Sequence, residues 1–136
     1  MDAAACRLAV AALFCAGCTS IHADQRTFEG TSWHMTAING VRTPPYRVWP
    51  YRLWFGGGTM RGFICNNFQA PYIVGDSLIQ LSGMQNTERG CDGATMQFEE
   101  SAFAILRRRP MRMSWVSSRK LTLSNGAGSI DLELQR

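Results

Sequence analysis

From residue 31 onward, apolar and polar residues alternate along most of the chain, in short runs that end at Gly, Asn, Asp or Pro. A period of two predicts half-buried β-strands. The first run, Thr31–Gly40, ends in Asn-Gly, a dipeptide typical of tight β-hairpin turns. Alternate side chains of this strand are predicted to point to opposite faces: Trp33, Met35 and Ala37 to one, His34 and Thr36 to the other.

Further strands follow the same pattern to the end of the chain. They are predicted at Arg52–Phe55, at Thr59–Cys65, in a hairpin over Pro71–Leu81 that turns at Gly75-Asp76, at Met111–Ser117, at Arg119–Ser124 and from Ser129 onward. In the last strand, one face is predicted to be buried because Ile130, Leu132 and Leu134 alternate with Asp131, Glu133 and Gln135. Residues 41–51 contain three prolines and are predicted to form a loop.

One segment has helical periodicity. Between Ala94 and Arg108, apolar residues recur every three or four positions, Asp92 is a suitable N-cap, and Pro110 ends the helix. Glu99 and Glu100 are adjacent and point in different directions, which argues against a paired-carboxylate site and predicts that both are exposed. Because strands outnumber helices, the predicted fold is α+β: a curled antiparallel sheet of short hairpins, similar to an incomplete barrel, crossed by one helix.

The N-terminus has the pattern of an export signal. Arg7 precedes about ten apolar residues, too few to cross a bilayer as a helix, which needs about 20. The segment "CAGC" resembles a bacterial lipoprotein box, so we predict a signal peptide over residues 1–17 and lipidation of Cys18. Cleavage before Asp24, after "IHA", is the alternative. Residues 18–29 are then a short linker, and residues 30–136 form the folded domain.

Export also accounts for the odd number of cysteines. Of the five, cleavage would remove Cys6 and Cys15, and acylation would use Cys18. Cys65 and Cys91 remain. They either form a disulfide in the oxidising periplasm or stay as two buried free thiols.

Composition narrows the class of protein and its partners. With 136 residues, 46% hydrophobic and 18% charged, the chain is typical of one globular domain. The formal charge of +4 comes almost entirely from arginine and permits attraction to anionic lipid. The expected partners are the membrane, through the N-terminal lipid, and an envelope protein or an anionic lipid. Nucleic acid is not an expected partner of an exported chain.

Few residues suggest catalysis. A cysteine nucleophile needs a base, and His34 is the histidine inside the predicted domain, so a thiol-dependent hydrolase using Cys91 or Cys65 with His34 is the enzymatic alternative. Two histidines and two cysteines lack the spacing of a metal site, and "GGGTMRG" lacks the Lys-Ser/Thr of a phosphate loop. We therefore predict no catalytic residue, no metal and no cofactor.

Aromatic and arginine residues cluster in and after the proline-rich loop, a composition common at binding surfaces. The candidate residues are Tyr46, Arg47, Trp49, Tyr51, Arg52 and Trp54. The alternative interpretation is that some of these rings close the core of the sheet.

The order of these features resembles the META domain of the HslJ-like heat-inducible proteins. The matching segments, from Gly30 to the C-terminus, are "GTSWHMTAING", "LWF" followed by "GFICNNFQAPY", "GDSLIQL", "TERGC", "FEESAFAIL" and "KLTLSNGAGSIDLEL". Family members typically have Gly-Cys-Asn, an aromatic residue and then Gly-x-Tyr. The residues that match the family are Cys65, Asn66, Phe68, Tyr72, Thr87 and Cys91, whereas Ile64 and Ala70 replace the two glycines.

The resemblance implies a disulfide between Cys65 and Cys91 and no catalytic mechanism. It also implies the bacterial envelope, with stress and antibiotic tolerance in some members. We therefore expect a non-enzymatic protein on the periplasmic side, an outer-membrane lipoprotein in stress-related envelope maintenance or protein interaction. The alternatives are the thiol-dependent hydrolase and a soluble periplasmic binder of an anionic or hydrophobic ligand.

Overall fold

Ten β-strands and one α-helix make up residues 28–136, the part of the chain that the computed structural model describes. The predicted signal peptide, the lipidation site Cys18 and both cleavage sites lie outside these residues. Within them, no helix has the length and apolar character needed to span a membrane.

The elements follow the predicted order along the chain. The strands are β1 (Thr31–Ile38), β2 (Val41–Arg42), β3 (Arg52–Gly56), β4 (Thr59–Phe63), β5 (Asn67–Gly75), β6 (Leu78–Leu81), β7 (Gln85–Asn86), β8 (Met111–Ser117), β9 (Lys120–Asn125) and β10 (Gly128–Leu134), and the helix is α1 (Gly93–Arg107). The fold is therefore mostly β with one helix, and the longer strands and the helix agree with the predicted periodicities. The two-residue strands β2 and β7 were not predicted, and β2 lies in the segment 41–51 that was predicted to be a loop.

The sheet closes into a barrel of eight antiparallel strands, in the order β1-β3-β4-β5-β6-β8-β9-β10 and back to β1. The prediction of an incomplete barrel is wrong. β1 and β10 pair from Trp33↔Leu134 to Ile38↔Ile130, which leaves neither strand with a free edge. Closure satisfies the backbone groups that an open edge would expose. The short strands β2 and β7 pair with β1 and β5 outside this ring.

A β-bulge in β1 changes the predicted facing of its side chains. The register against β10 shifts between Met35 and Ala37, so Thr36 is the extra residue. Trp33 and Met35 point into the core as predicted, but after the bulge the buried residue is Ile38, and Ala37 is only half-buried. The prediction that Ala37 shares a face with Trp33 and Met35 is therefore wrong, because alternation does not continue through a bulge.

The N-terminal end of the described chain closes one end of the barrel. Phe28 is buried and packs against Phe55, with ring centroids 4.8 Å apart, and against Trp33. The Glu29 carboxylate accepts hydrogen bonds from the backbone N–H groups of the β3–β4 turn and from the hydroxyl of Tyr72. These bonds, the one from Tyr72 foremost, lower the pKa of Glu29. Phe28 and Glu29 thus belong to the folded domain and not to the linker.

Helix α1 packs across the opposite end. Its N-cap is Asp92, as predicted, whose carboxylate accepts hydrogen bonds from the backbone N (3.0 Å) and Oγ1 (2.7 Å) of Thr95. At the other end of the helix, Asn125 Nδ2 donates to the carbonyls of Ile105 and Arg108. The helix and the Phe28 end together seal a core of inward-facing strand residues.

Candidate functional site

A disulfide ties the β4–β5 connection to the start of the helix. Cys65, fully buried between the two strands, is bonded to Cys91, which directly precedes the N-cap Asp92. The pairing is the one that the family resemblance implies. The disulfide holds α1 against the end of the barrel. It joins residues that are 26 positions apart in the sequence.

Glu99 makes the second tie between the helix and the β4–β5 connection. Its carboxylate accepts hydrogen bonds from the backbone N of Cys65 (2.9 Å), from the backbone N of Asn66 (2.6 Å) and from Nδ2 of Asn66 (2.7 Å). The side chain is 5% exposed, so the predicted solvent exposure is wrong for Glu99, whereas Glu100 is exposed as predicted. A signal was present in the sequence: Glu99 lies three, four and seven positions before buried apolar residues, on the same helical face.

Asn66 connects the disulfide and the Glu99 hydrogen bonds to the segment before the helix. Its Oδ1 accepts hydrogen bonds from the backbone N of Arg89 (2.8 Å) and from Oγ1 of Thr87 (3.1 Å). Thr87 Oγ1 in turn accepts from the backbone N of Asn67. Four of the family residues therefore meet in one cluster with Glu99, and most of the polar contacts in it bind backbone groups.

The other two motif residues, Phe68 and Tyr72, lie in the barrel interior. Phe68 packs edge-to-face against Phe103 of the helix at 5.1 Å, and Tyr72 packs against Phe55 at 5.0 Å. Burial, together with its hydrogen bond to Glu29, raises the pKa of the Tyr72 hydroxyl. The contacts of these motif residues position the core and the helix.

His34 lies away from the disulfide, on the outer side of β1. Its ring packs edge-on against Tyr46 at 5.6 Å, and burial lowers its pKa. Among residues 28–136 no hydrogen bond joins it to either cysteine, and no group of three His, Cys, Asp or Glu side chains is arranged to hold a metal ion. The components of the alternative thiol site are thus not brought together.

The structure divides the predicted binding surface. Tyr51 is 1% exposed and packs edge-to-face on Phe98 of the helix, so it belongs to the core and its assignment to a surface is wrong. Trp49 is half-buried, donates from Nε1 to the Ile64 carbonyl (2.8 Å) and packs on Phe63 at 5.6 Å. Tyr46 and the exposed Arg47 stay in the loop, on the side of His34.

Arg52 and Trp54 remain on the surface and are joined by two residues that the sequence analysis did not select. Arg52 pairs across the strands with Phe63, and Trp54 pairs with Arg61, whose guanidinium carbon lies 5.3 Å from the Trp54 ring centroid. We call this surface the β3–β4 face; it consists of Trp49, Arg52, Trp54, Arg61 and Phe63. The period of two in "TMRGF" places Arg61 and Phe63 on one side of β4. This pattern could have predicted that both residues belong to the same surface.

A glycine of β4 faces inward behind the β3–β4 face. Gly62 lies between Arg61 and Phe63 and points to the barrel interior, where an added Cβ would lie 2.1 Å from the Phe68 ring. Outside, the side chains of β3 and β4 border a hollow of about 280 Å³. No carboxylate of the described residues forms an ion pair with Arg52 or Arg61. The face therefore presents aromatic surface with two unneutralised positive charges.

Comparison with known proteins identifies the family. The family model of the META domain matches residues 26–135. No curated protein matches the chain. Two proteins solved by NMR share the fold: one is 14% identical with a TM-score of 0.70, covering 80% of this chain and 92% of the other. The second, from Burkholderia xenovorans, is 17% identical with a TM-score of 0.66, covering 99% of both chains. At these identities the likeness concerns the fold alone, but the family-model match spans most of the sequence: the chain belongs to the META domain family.

Proposed function

We propose that this protein is a non-enzymatic binding module of the bacterial envelope, anchored through a lipid on Cys18, that contacts an anionic envelope partner through its β3–β4 face. Such binding would serve stress-related envelope maintenance. The observation that carries the proposal is the β3–β4 face itself, where aromatic rings and two arginines without an ion pair among the described residues lie together on the wall of a closed barrel.

The β3–β4 face has the composition of a recognition surface. Trp and Arg are enriched at the residues that dominate binding energies, because a ring supplies large rigid contact area and a guanidinium supplies directed charge. Arg61 over Trp54 holds both groups in one orientation before any partner arrives. Because no carboxylate of residues 28–136 forms an ion pair with Arg52 or Arg61, an anionic partner is favoured over a cationic one.

The chemistry of the described residues supports a role without catalysis. A disulfide between Cys65 and Cys91 leaves no thiolate to act as a nucleophile. The Glu99 carboxylate is already used by three protein donors. A residue whose hydrogen-bonding capacity is spent on backbone groups has a structural role.

The envelope location rests on the sequence pattern and on the disulfide. Disulfides persist in oxidising compartments such as the periplasm. The segment from Cys18 to Phe28 would tether the barrel to the membrane at the end that Phe28 closes.

Intact mass of the protein from its native host tests the anchor. A lipid-modified N-terminus at Cys18, with Cys65 and Cys91 alkylated only after reduction, is the expected result. A mass beginning at Asp24 would remove the anchor, and alkylation before reduction would restore the thiol hydrolase as the leading hypothesis.

Cosedimentation with vesicles tests the β3–β4 face. We expect binding to vesicles that contain anionic phospholipid, at least tenfold weaker for Arg52→Gln with Arg61→Gln, which corresponds to about 1.4 kcal/mol. The matched control is Arg109→Gln with Arg112→Gln, which makes the same change in net charge at exposed residues elsewhere. An equal loss of vesicle binding in both double variants would show a general effect of net charge and would refute the assignment of binding to the β3–β4 face. The face would be assigned to a protein partner if the protein binds no vesicle but crosslinks to an envelope protein, and if only Arg52→Gln with Arg61→Gln abolishes that crosslink.

A further inference from the structure

A second surface feature lies on the outer wall of the barrel, beyond the β3–β4 face. It is a groove of about 700 Å³ over β1, β10 and β9, with the segment 43–46 as one wall. Its volume is in the range of about 300–1,000 Å³ that is typical of ligand sites. None of the family motif residues lines it, and neither do the residues of the β3–β4 face.

Strand register arranges the floor of the groove in two polar rows. In the first, His34 of β1 pairs with Glu133 of β10, which pairs with Lys120 of β9. In the second, Asp131 of β10 pairs with Thr122 of β9, and Thr122 Oγ1 donates to Asp131 Oδ1 at 2.7 Å. Because neighbouring strands lie about 4.8 Å apart, the first row spans about 10 Å. The groove thus offers donors and acceptors over the length of a ligand and not at one point.

His34 supplies an independent reason to expect a ligand. The side chain is 8% exposed, and its Nε2 has no hydrogen-bond partner among the described residues. The backbone of Pro44 acts to raise the pKa of the ring, against the larger effect of burial. Burial lowers the pKa of the ring and so disfavours its charged form, and Nε2 is left as a buried polar atom without a hydrogen-bond partner among the described residues. Buried polar atoms in native proteins are nearly always satisfied.

The charges of the groove select against a strongly charged ligand. Two cations, Arg42 and Lys120, face two carboxylates, Asp131 and Glu133. A polyanion would meet the carboxylates, and a polycation would meet Arg42 and Lys120. Hydroxyl groups both donate and accept, so a neutral ligand that carries many of them satisfies this mixed set without leaving a charge unpaired.

The strand arrangement argues against an extended peptide as the ligand. Peptides bind sheets by adding a strand to a free edge. Each strand under the groove is already paired on both sides, β1 with β3 and β10, β10 with β1 and β9, and β9 with β10 and β8. Recognition here has to use side chains, and Tyr46 adds an aromatic ring to the wall.

We propose that this groove binds a neutral, hydroxyl-rich oligosaccharide. Nε2 of His34 and the carboxylates of Asp131 and Glu133 accept hydrogen bonds from sugar hydroxyls. Arg42 and Lys120 donate to other sugar oxygens, and the Tyr46 ring contacts the apolar face of a sugar. The site uses other side chains than the β3–β4 face, so either proposal can fail alone.

Calorimetric titration of the mature protein with chitotetraose and with maltotetraose tests the groove. We expect saturable binding of one of them at millimolar concentrations or below. In ¹⁵N NMR spectra of the same titration, the resonance of His34 Nε2 is expected to shift. Binding of chitotetraose alone indicates an N-acetylated glycan, as in the cell wall, and binding of maltotetraose alone indicates a glycan without acetamido groups.

Variants locate the binding and make the proposal refutable. Glu133→Gln and His34→Gln are expected to weaken binding at least tenfold, and Glu100→Gln, an exposed helix residue, is expected to leave it unchanged. Should His34→Gln fail to fold, the half-buried Glu133 still provides the test. The proposal is overturned if neither oligosaccharide binds, if inorganic phosphate binds more tightly than both, or if Glu133→Gln binds as the wild type does.

Discussion

Glu99 is the residue whose replacement tests most directly how the helix is held to the barrel. Its carboxylate accepts two backbone N–H groups, from Cys65 and Asn66, and the Nδ2 group of Asn66. Cys65 and Asn66 are themselves buried, at 0% and 4% exposure. Glu99→Ala removes the acceptor and leaves all these donors in place.

The expected loss follows from the number of donors left without an acceptor. Each buried donor costs about 1–3 kcal/mol when it loses its partner, and bonds to charged groups lie toward the upper value. Asn66 Nδ2 keeps a second acceptor, the Arg89 carbonyl at 3.2 Å, and a surface hollow beside Asn66 and Glu99 gives water a route to the site. We therefore expect a loss of about 3–4 kcal/mol, a large part of the 5–15 kcal/mol typical of a domain.

Glu99→Gln separates hydrogen bonding from side-chain volume. The amide oxygen still accepts from the backbone, but the amide N–H₂ group turns a donor toward Asn66 Nδ2. About half of the loss seen for Glu99→Ala is expected.

Urea unfolding of the oxidised protein, followed by circular dichroism, measures these losses. Glu100→Ala is the control, an exposed glutamate one position along the same helix, and is expected to change the free energy of unfolding by less than about 0.5 kcal/mol. The reasoning is refuted if Glu99→Ala lies within that range of the wild type, or if Glu100→Ala is equally destabilised.

Three further predictions concern the disulfide, the barrel interior and pH. Cys65→Ala with Cys91→Ala opens a loop of 26 positions and should lower the free energy of unfolding by about 3.5 kcal/mol in the chain-entropy model; an unchanged urea midpoint would contradict this. Gly62→Ala places a Cβ 2.1 Å from the packed Phe68 ring and should cost about 1–3 kcal/mol by thermal unfolding, and a neutral effect would show that the ring is free to move. Burial lowers the folded-state pKa of His34 below its ordinary 6.5, so the unfolded chain takes up the proton first, and stability is highest above pH 6.5 and declines as pH falls toward the folded value. His34→Gln should reduce that slope in unfolding experiments at several pH values, and an identical slope would exclude His34 as its source.

Local patterns were sufficient to predict the elements. The alternation of Ile130, Leu132 and Leu134 with polar residues predicted a strand whose first two apolar side chains are fully buried. The predicted helix, from Ala94 to Arg108, lies within one residue of both observed ends, Gly93 and Arg107, and Asp92 is its N-cap as predicted. These predictions succeed because capping, proline geometry and amphipathic burial depend on residues that are neighbours in the chain.

Selection among similar residues was indicated only in part by local patterns, because helical spacing places Glu99 on the buried face but does not say what it contacts. Tyr51 and Arg52 are adjacent, and only the strand pairing shows that Tyr51 faces the helix while Arg52 lies on the β3–β4 face. Glu99 and Glu100 are also adjacent and equally charged. Glu99 is buried because the helix packs that side against two backbone N–H groups of the β4–β5 connection.

The sequence by itself determined the longer strands, the helix and the family resemblance, and that resemblance implied the pairing of Cys65 with Cys91. Only the tertiary structure decided that the barrel closes, that a bulge in β1 reverses the side-chain alternation, and that Arg61 and Phe63 complete the surface begun by Trp54. The reason is the range of the forces involved. Secondary structure depends on residues that are close together in the sequence. Closure of the barrel instead pairs Trp33 with Leu134, at opposite ends of the domain. No local pattern specifies which distant strand will be the partner.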